Sequence, residues 1–144
     1  MYNNTSSLGD ISLGLKKLDV ANLRPAQEAP LRGILFGSNV LAVMLTGGGK
    51  SLLYQLPAVM DGGQRLALVI SPLRALQQDQ VDSLIAKGIR AAALNSDLTL
   101  AHREAVLAAM CESGGLFYLA SEQLQNPTVA AALRQADICT YCTG

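Results

Sequence analysis

The sequence predicts an α/β domain built on a mainly parallel sheet. Short uninterrupted apolar runs, of the kind buried on both faces of a parallel sheet, recur at residues 40–45, 66–70, 91–94 and 116–120. Between them lie longer stretches whose apolar positions follow helical spacing, so strand and helix alternate along the chain. The run at residues 40–45 also opens directly into Thr46, Gly47, Gly48, Gly49, Lys50 and Ser51, and then into Leu52, Leu53 and Tyr54. That is a strand, a tight loop and a helix start in succession.

Each element has a local reason. Residues 1–10 are polar and read as a disordered terminus. Ile11, Leu13, Leu15 and Leu18 predict a short helix, and Pro25 starts another over 26–36 that Pro30 should kink or delay. A turn at Gly37-Ser38-Asn39 leads into the strand at 40–45, and a helix runs from Lys50 to about Met60. After the loop Asp61-Gly62-Gly63 comes the strand at 66–70. Leu73, Leu76, Val81, Leu84 and Ile85 then predict a helix closed by Gly88 in the left-handed conformation. A strand at 91–94, a helix at 98–111, a strand at 116–120 and helix over 121–136, broken at Asn126-Pro127, complete the alternation.

With 144 residues, half of them apolar, there is bulk for one domain with a core. Eleven Lys and Arg balance eleven Asp and Glu, which excludes a global positive field, so any nucleic-acid contact must be local. The apolar runs are too short to cross a bilayer, and the first residues show no signal pattern, so the expectation is a cytoplasmic chain without a membrane partner. Cys111, Cys139 and Cys142, odd in number and scattered, read as free thiols.

The glycine loop carries the chemistry. Glycines let backbone N–H groups turn inward and approach phosphate oxygens with no Cβ in the way. The positive end of the following helix faces the same anion. Lys50 adds a point charge for the β- and γ-phosphates, and the Ser51 hydroxyl is a ligand for Mg²⁺. The competing reading is a Gly-rich turn with an incidental lysine, which the strand before and helix after disfavour. The first position of the usual pattern is Met44 instead of glycine.

Taken together, residues 11–136 resemble the first RecA-like domain of the RecQ family of ATP-dependent DNA helicases. Arg24-Pro25-Ala26-Gln27 resembles the adenine-reading element, and residues 45–55 are similar to the family's Pro-Thr-Gly-Gly-Gly-Lys-Ser-Leu-Cys-Tyr-Gln; the family also carries Met where Met44 stands. Ser71-Pro72-Leu73 with Leu76, Asp79, Gln80 and Val81 looks like the next motif; Leu94-Asn95-Ser96 and residues 118–124 resemble two more. The resemblance implies a RecA-like P-loop NTPase domain using ATP and Mg²⁺. It implies that Arg24 and Gln27 hold adenine, that Thr46, Gly47, Gly48, Gly49, Lys50 and Ser51 hold phosphates and metal, and that Ser71, Asn95 and Glu122 lie near DNA. The implied partners are ATP or ADP and single-stranded or partly duplex DNA, with 3′-to-5′ unwinding by the whole enzyme, nucleoid-associated if bacterial. The residue chemistry agrees: an amide such as Gln27 offers adenine both a donor and an acceptor. Ser71 and Asn95 follow strands, where ligands of parallel sheets lie, although turn and cap chemistry uses the same residue types. Arg74 reads as a solvated helix residue and His102 as structural or solvent-facing.

The sequence also departs from the family. Leu18, Val20 and Leu23 stand where an aromatic stacks on adenine, and Leu45 and Ser121 replace prolines. After Ala136 the family runs a strand into the Walker B motif, Asp-Glu-Ala-His; here residues 137–144 follow and no Asp-Glu pair occurs anywhere. The expectation is a domain over 11–136, truncated before Walker B, an atypical tail from a truncation or frame shift, and negligible turnover alone. The strand that lies between the phosphate-loop strand and the Walker B strand in the resembled fold also comes later than Gly144. Residues 40–45 should then form an apolar edge that a protein partner could cover. The Cys139 and Cys142 spacing lacks a second pair for zinc and the helix context for redox work. Besides a helicase fragment, a non-catalytic nucleotide- or protein-binding remnant is a second reading, and a small P-loop kinase is a third that the triple-glycine loop and Ser71-Pro72-Leu73 argue against.

Overall fold

A computed structural model describes residues 7–45, 47–60, 64–72, 74–95 and 98–143, with the side chains of 7–10 and of Arg74 left aside. In chain order the elements are α1 (Ser7–Lys17), α2 (Pro25–Leu35), α3 (Leu52–Met60), β1 (Leu66–Ile70), α4 (Arg74–Ala86), β2 (Ala91–Leu94), α5 (Leu100–Ser113), β3 (Gly115–Leu119), a 3-10 turn (Ser121–Gln125), α6 (Pro127–Gln135) and β4 (Ile138–Thr143). All pairings are parallel and the sheet order is β2-β3-β1-β4. The predicted α/β class holds.

The apolar runs are explained by alternation across the sheet. Ala67 and Val69 of β1 and Leu116 and Tyr118 of β3 face a core with Leu31, Leu52 and Leu56 from α2 and α3 and Leu84 from α4. Leu66, Leu68, Phe117 and Leu119 face the opposite core with Leu107 and Met110 of α5 and Leu133 of α6. Both faces are covered, so neither strand shows a polar side. In-register pairs such as Val69 with Tyr118 and Ala92 with Phe117 hold the sheet's centre.

Helix starts follow cap chemistry. Thr99 accepts the His102 N–H ahead of α5, and Asn126 accepts the Thr128 N–H at 2.9 Å with Pro127 in the first turn of α6. Pro30 sits inside α2 without ending it, its missing N–H removing only one helix bond. Gly88, after α4, has φ +74°.

Three stretches differ from the sequence expectation. Residues 40–45 form no strand. Leu41, Val43 and Leu45 are 91, 89 and 87 % exposed, and only Met44 of this stretch packs against the first core. A strand exists through its ladder, and among the described residues none of the strands in the order β2-β3-β1-β4 pairs with this run. The helix read from Lys50 begins at Leu52, with Lys50 and Ser51 in the turn before it. The stretch after Ala136, set apart as a tail, supplies β4, which enters the sheet beside β1 with a bulge that skips Cys139.

Candidate functional site

The first turn of α2 and the glycine loop meet directly. Arg24 precedes α2, and its N–H donates to Gln27 Oε1 at 2.8 Å, which closes the helix start from the side. The Gln27 Nε2 then donates to the Gly49 carbonyl at 3.0 Å, and the Arg24 guanidinium donates to the Gly47 carbonyl at 2.6 Å. Gln27 is 3 % exposed, so its amide is a buried strut. The loop backbone needs its glycines: Gly47 and Gly49 both have φ +79°. A Cβ on Gly49 would lie 2.2 Å from Gln27 Nε2, whereas one on Gly47 would meet nothing within 4 Å. The Gly49 carbonyl also accepts the Leu52 N–H, so one oxygen ties the loop to both α2 and α3.

Beside this junction lies a cleft of about 350 Å³. Val20, Arg24, Gln27, Gly49 and Ser51 line it on one side, Asp79 and Gln80 of α4 on the other. Leu18 and Val20 give it aliphatic surface, whereas Leu23 does not line it. Lys50 is exposed and is not among the residues that line the cleft, and Thr46 lies outside the described residues.

Ser71, Asn95 and Glu122 come together in a different sense. They follow the carboxyl ends of β1, β2 and β3, three neighbouring parallel strands, and so share one edge of the sheet. The Ser71 N–H donates to the Leu119 carbonyl at 3.1 Å, joining the first of these loops to β3.

Sequence reasoning missed the polar contacts behind the cleft. Tyr54 of α3 donates its hydroxyl to Gln80 Oε1 at 2.7 Å, and Gln55 Nε2 reaches the Tyr118 hydroxyl at 3.4 Å. Burial pushes both phenols up; for Tyr118 the nearby Tyr54 adds to the rise, while for Tyr54 hydrogen bonds to Gln80 and Tyr118 oppose it. Tyr54, Gln55 and Gln80 stood in quoted motifs, and their polar groups on otherwise apolar faces were the available signal. His102 is exposed in the first turn of α5. Cys111, Cys139 and Cys142 form no disulfide, and among the described residues no three His, Cys, Asp or Glu gather as a metal site.

Residues 24–136 match the DEAD/DEAH box helicase family. The chain belongs to that family. Within it, the similarity runs to RecQ-type proteins. The probable ATP-dependent DNA helicase RecS of Bacillus subtilis is 41 % identical over 121 residues, covering 83 % of this chain and 24 % of the relative. The ATP-dependent DNA helicase RecQ of Haemophilus influenzae is 39 % identical over 119 residues, 82 % of this chain and 19 % of the relative. This helicase-family chain thus spans a quarter or less of the length of these two relatives. Its fold also superposes on a crystal structure of the DUF1998 helicase MrfA bound to DNA, with TM-score 0.70 and 20 % identity over 99 % of this chain and 27 % of that one. The fold is therefore that of a RecA-like helicase domain. The family membership excludes the small P-loop kinase, against which the triple-glycine loop and Ser71-Pro72-Leu73 already argued.

Proposed function

We propose that this chain is the nucleotide-binding part of a RecQ-type ATP-dependent DNA helicase, working in the cytoplasm and on the nucleoid if its source is bacterial. The observation that carries the reading is the pair of hydrogen bonds from Arg24 and Gln27 to the carbonyls of Gly47 and Gly49. Residues that the family uses for adenine are bonded to the loop it uses for phosphate, so base and phosphate sites form one unit. Gln27 keeps one amide hydrogen and one oxygen lone pair beyond the bonds above, a match for the N6 and N7 edge of adenine. With Val20 in place of a stacking ring, the base rests on aliphatic surface and is held less tightly.

The loop fits a triphosphate with magnesium: open space over Gly47 admits phosphate oxygens, Lys50 brings charge, and the Ser51 hydroxyl lines the cleft. Ser51 would hold Mg²⁺, which when bound neutralises charge between the β- and γ-phosphates. Ser71, Asn95 and Glu122 border the path of a DNA strand, where hydroxyl, amide and main-chain groups hold phosphates without reading sequence. In the longer helicase, ATP hydrolysis drives 3′-to-5′ unwinding. These 144 residues contain no Asp-Glu pair to place metal and water, so alone they bind without turnover.

Titration with a fluorescent ADP analogue tests the reading. Binding should weaken at least about tenfold in Lys50→Ala, and no phosphate should be released from ATP with or without single-stranded DNA. Equal affinity in Lys50→Ala would remove the phosphate assignment. The exposed side chains of Leu41, Val43 and Leu45 favour a second reading beside it, in which a protein partner covers this stretch.

A further inference from the structure

Among the described residues the buried polar side chains are three glutamines, Gln27, Gln77 and Gln123. Burying an amide is costly unless it is hydrogen-bonded, and a leucine or methionine would fill the same space without that cost. What an amide adds is a directed bond. In each case here that bond fastens a loop that the family resemblance puts in contact with ligand. Gln27 holds the Gly49 carbonyl, as above. Gln77 of α4, 2 % exposed, donates Nε2 to the Ser71 carbonyl at 2.5 Å. Gln123, in the 3-10 turn that carries Glu122, accepts from the Arg103 guanidinium of α5 at 2.5 Å.

Gln77 is the informative one. Its Oε1 is buried with no partner among the described residues. An orphan acceptor offsets much of what the Nε2 bond contributes, so stability is a poor account of this amide. Its one bond has a specific target. The main chain of Ser71 is held from both sides, its N–H by the Leu119 carbonyl at the end of β3 and its C=O by Gln77. The loop after β1 is thereby set in register with the loop after β3, which leads into Glu122.

We propose that Gln77 is a positioning residue for the DNA-side surface: it fixes the Ser71 main chain so that the loops ending β1 and β3 present one face to a nucleic-acid strand. Arg103 with Gln123 does the same for the second loop. This rests on the DNA reading given above. The test uses the 144-residue chain with Gln77→Leu and, as a second filling of the same space, Gln77→Met. Three quantities are measured: amide hydrogen exchange around Ser71, binding of a fluorescein-labelled oligothymidylate, and binding of a fluorescent ADP analogue. Both variants should speed exchange around Ser71 about tenfold and weaken oligonucleotide binding about fivefold or more, with ADP affinity kept within about twofold and no fall in melting temperature.

Unchanged exchange around Ser71 in either folded variant overturns the proposal, as does a joint loss of oligonucleotide binding, ADP binding and melting temperature, which marks a general packing defect. Unaltered oligonucleotide binding in both variants overturns this inference alone. A parent chain that binds ADP but no oligonucleotide overturns the DNA surface itself, and the role of Gln77 with it.

Discussion

The rings of Tyr54 and Tyr118 meet edge to face, with centroids 6.2 Å apart and planes at 77°. One ring stands on the helix that follows the glycine loop and the other is buried in the strand at the sheet's centre. The contact joins the loop's helix to the β3 strand, whose end carries Ser121 and Glu122. It also puts two phenols where ionisation is disfavoured.

Alkaline stability should therefore decline in two stages. Burial raises the Cys111 and Cys142 thiols and the Tyr54 and Tyr118 phenols above their usual ranges. In the unfolded chain thiols ionise near pH 8.5 and phenols near pH 10, so above about pH 8.5 the unfolded state binds fewer protons and stability falls as pH rises. Below that pH this contribution is fully present. Urea melts at a series of pH values should show the second stage flattened in Tyr118→Phe. A pH-independent midpoint up to pH 11 would contradict the burial of these groups.

Gly49→Ala should damage the chain more than Gly47→Ala. Both residues share φ +79°, so each substitution carries a left-handed strain of about 1–2 kcal/mol. Only at Gly49 does the new methyl strike Gln27. Chemical denaturation should separate the two, and equal losses would show that the Gln27 contact with the loop is absent in solution.

Gln27→Glu should be destabilising at neutral pH and recover as the solution is acidified. The introduced carboxylate would be buried, facing the Gly49 carbonyl with no proton to donate, a loss of about 2–3 kcal/mol. Burial raises the pKa of such a carboxyl in the folded state. Acidification towards pH 5 then favours the protonated, donating form, and stability relative to the parent chain should rise. Melting temperatures of both proteins from pH 5 to 8 measure this.

Leu41, Val43 and Leu45 should make the chain self-associate as its concentration rises. Alternate residues of a run that belongs to no strand present apolar side chains to water. Sedimentation of the parent chain against Leu41→Lys with Val43→Lys should show larger species only in the parent, with melting temperatures alike.

The legible part of the site was its local chemistry. Thr46 to Ser51 could be read as a phosphate loop because strand, glycines, lysine and hydroxyl stand next to one another in the chain. Ser71, Asn95 and Glu122 could be placed at strand ends from the apolar runs that precede them. Gln77 and Gln123 could not be singled out, because an amide on a helix or turn looks solvated until the packing around it is known.

By itself the sequence determined the α/β class, the order of helices and strands from β1 to α6, and the glycine loop, since each rests on residues close in the chain. Only the tertiary structure decided that residues 40–45 are no strand while Ile138–Thr143 is one. An apolar run becomes a strand when another backbone lies beside it to complete its hydrogen bonds. In this fold that neighbour, β1, pairs with the half-exposed run at the end of the chain and not with the more apolar one before the loop.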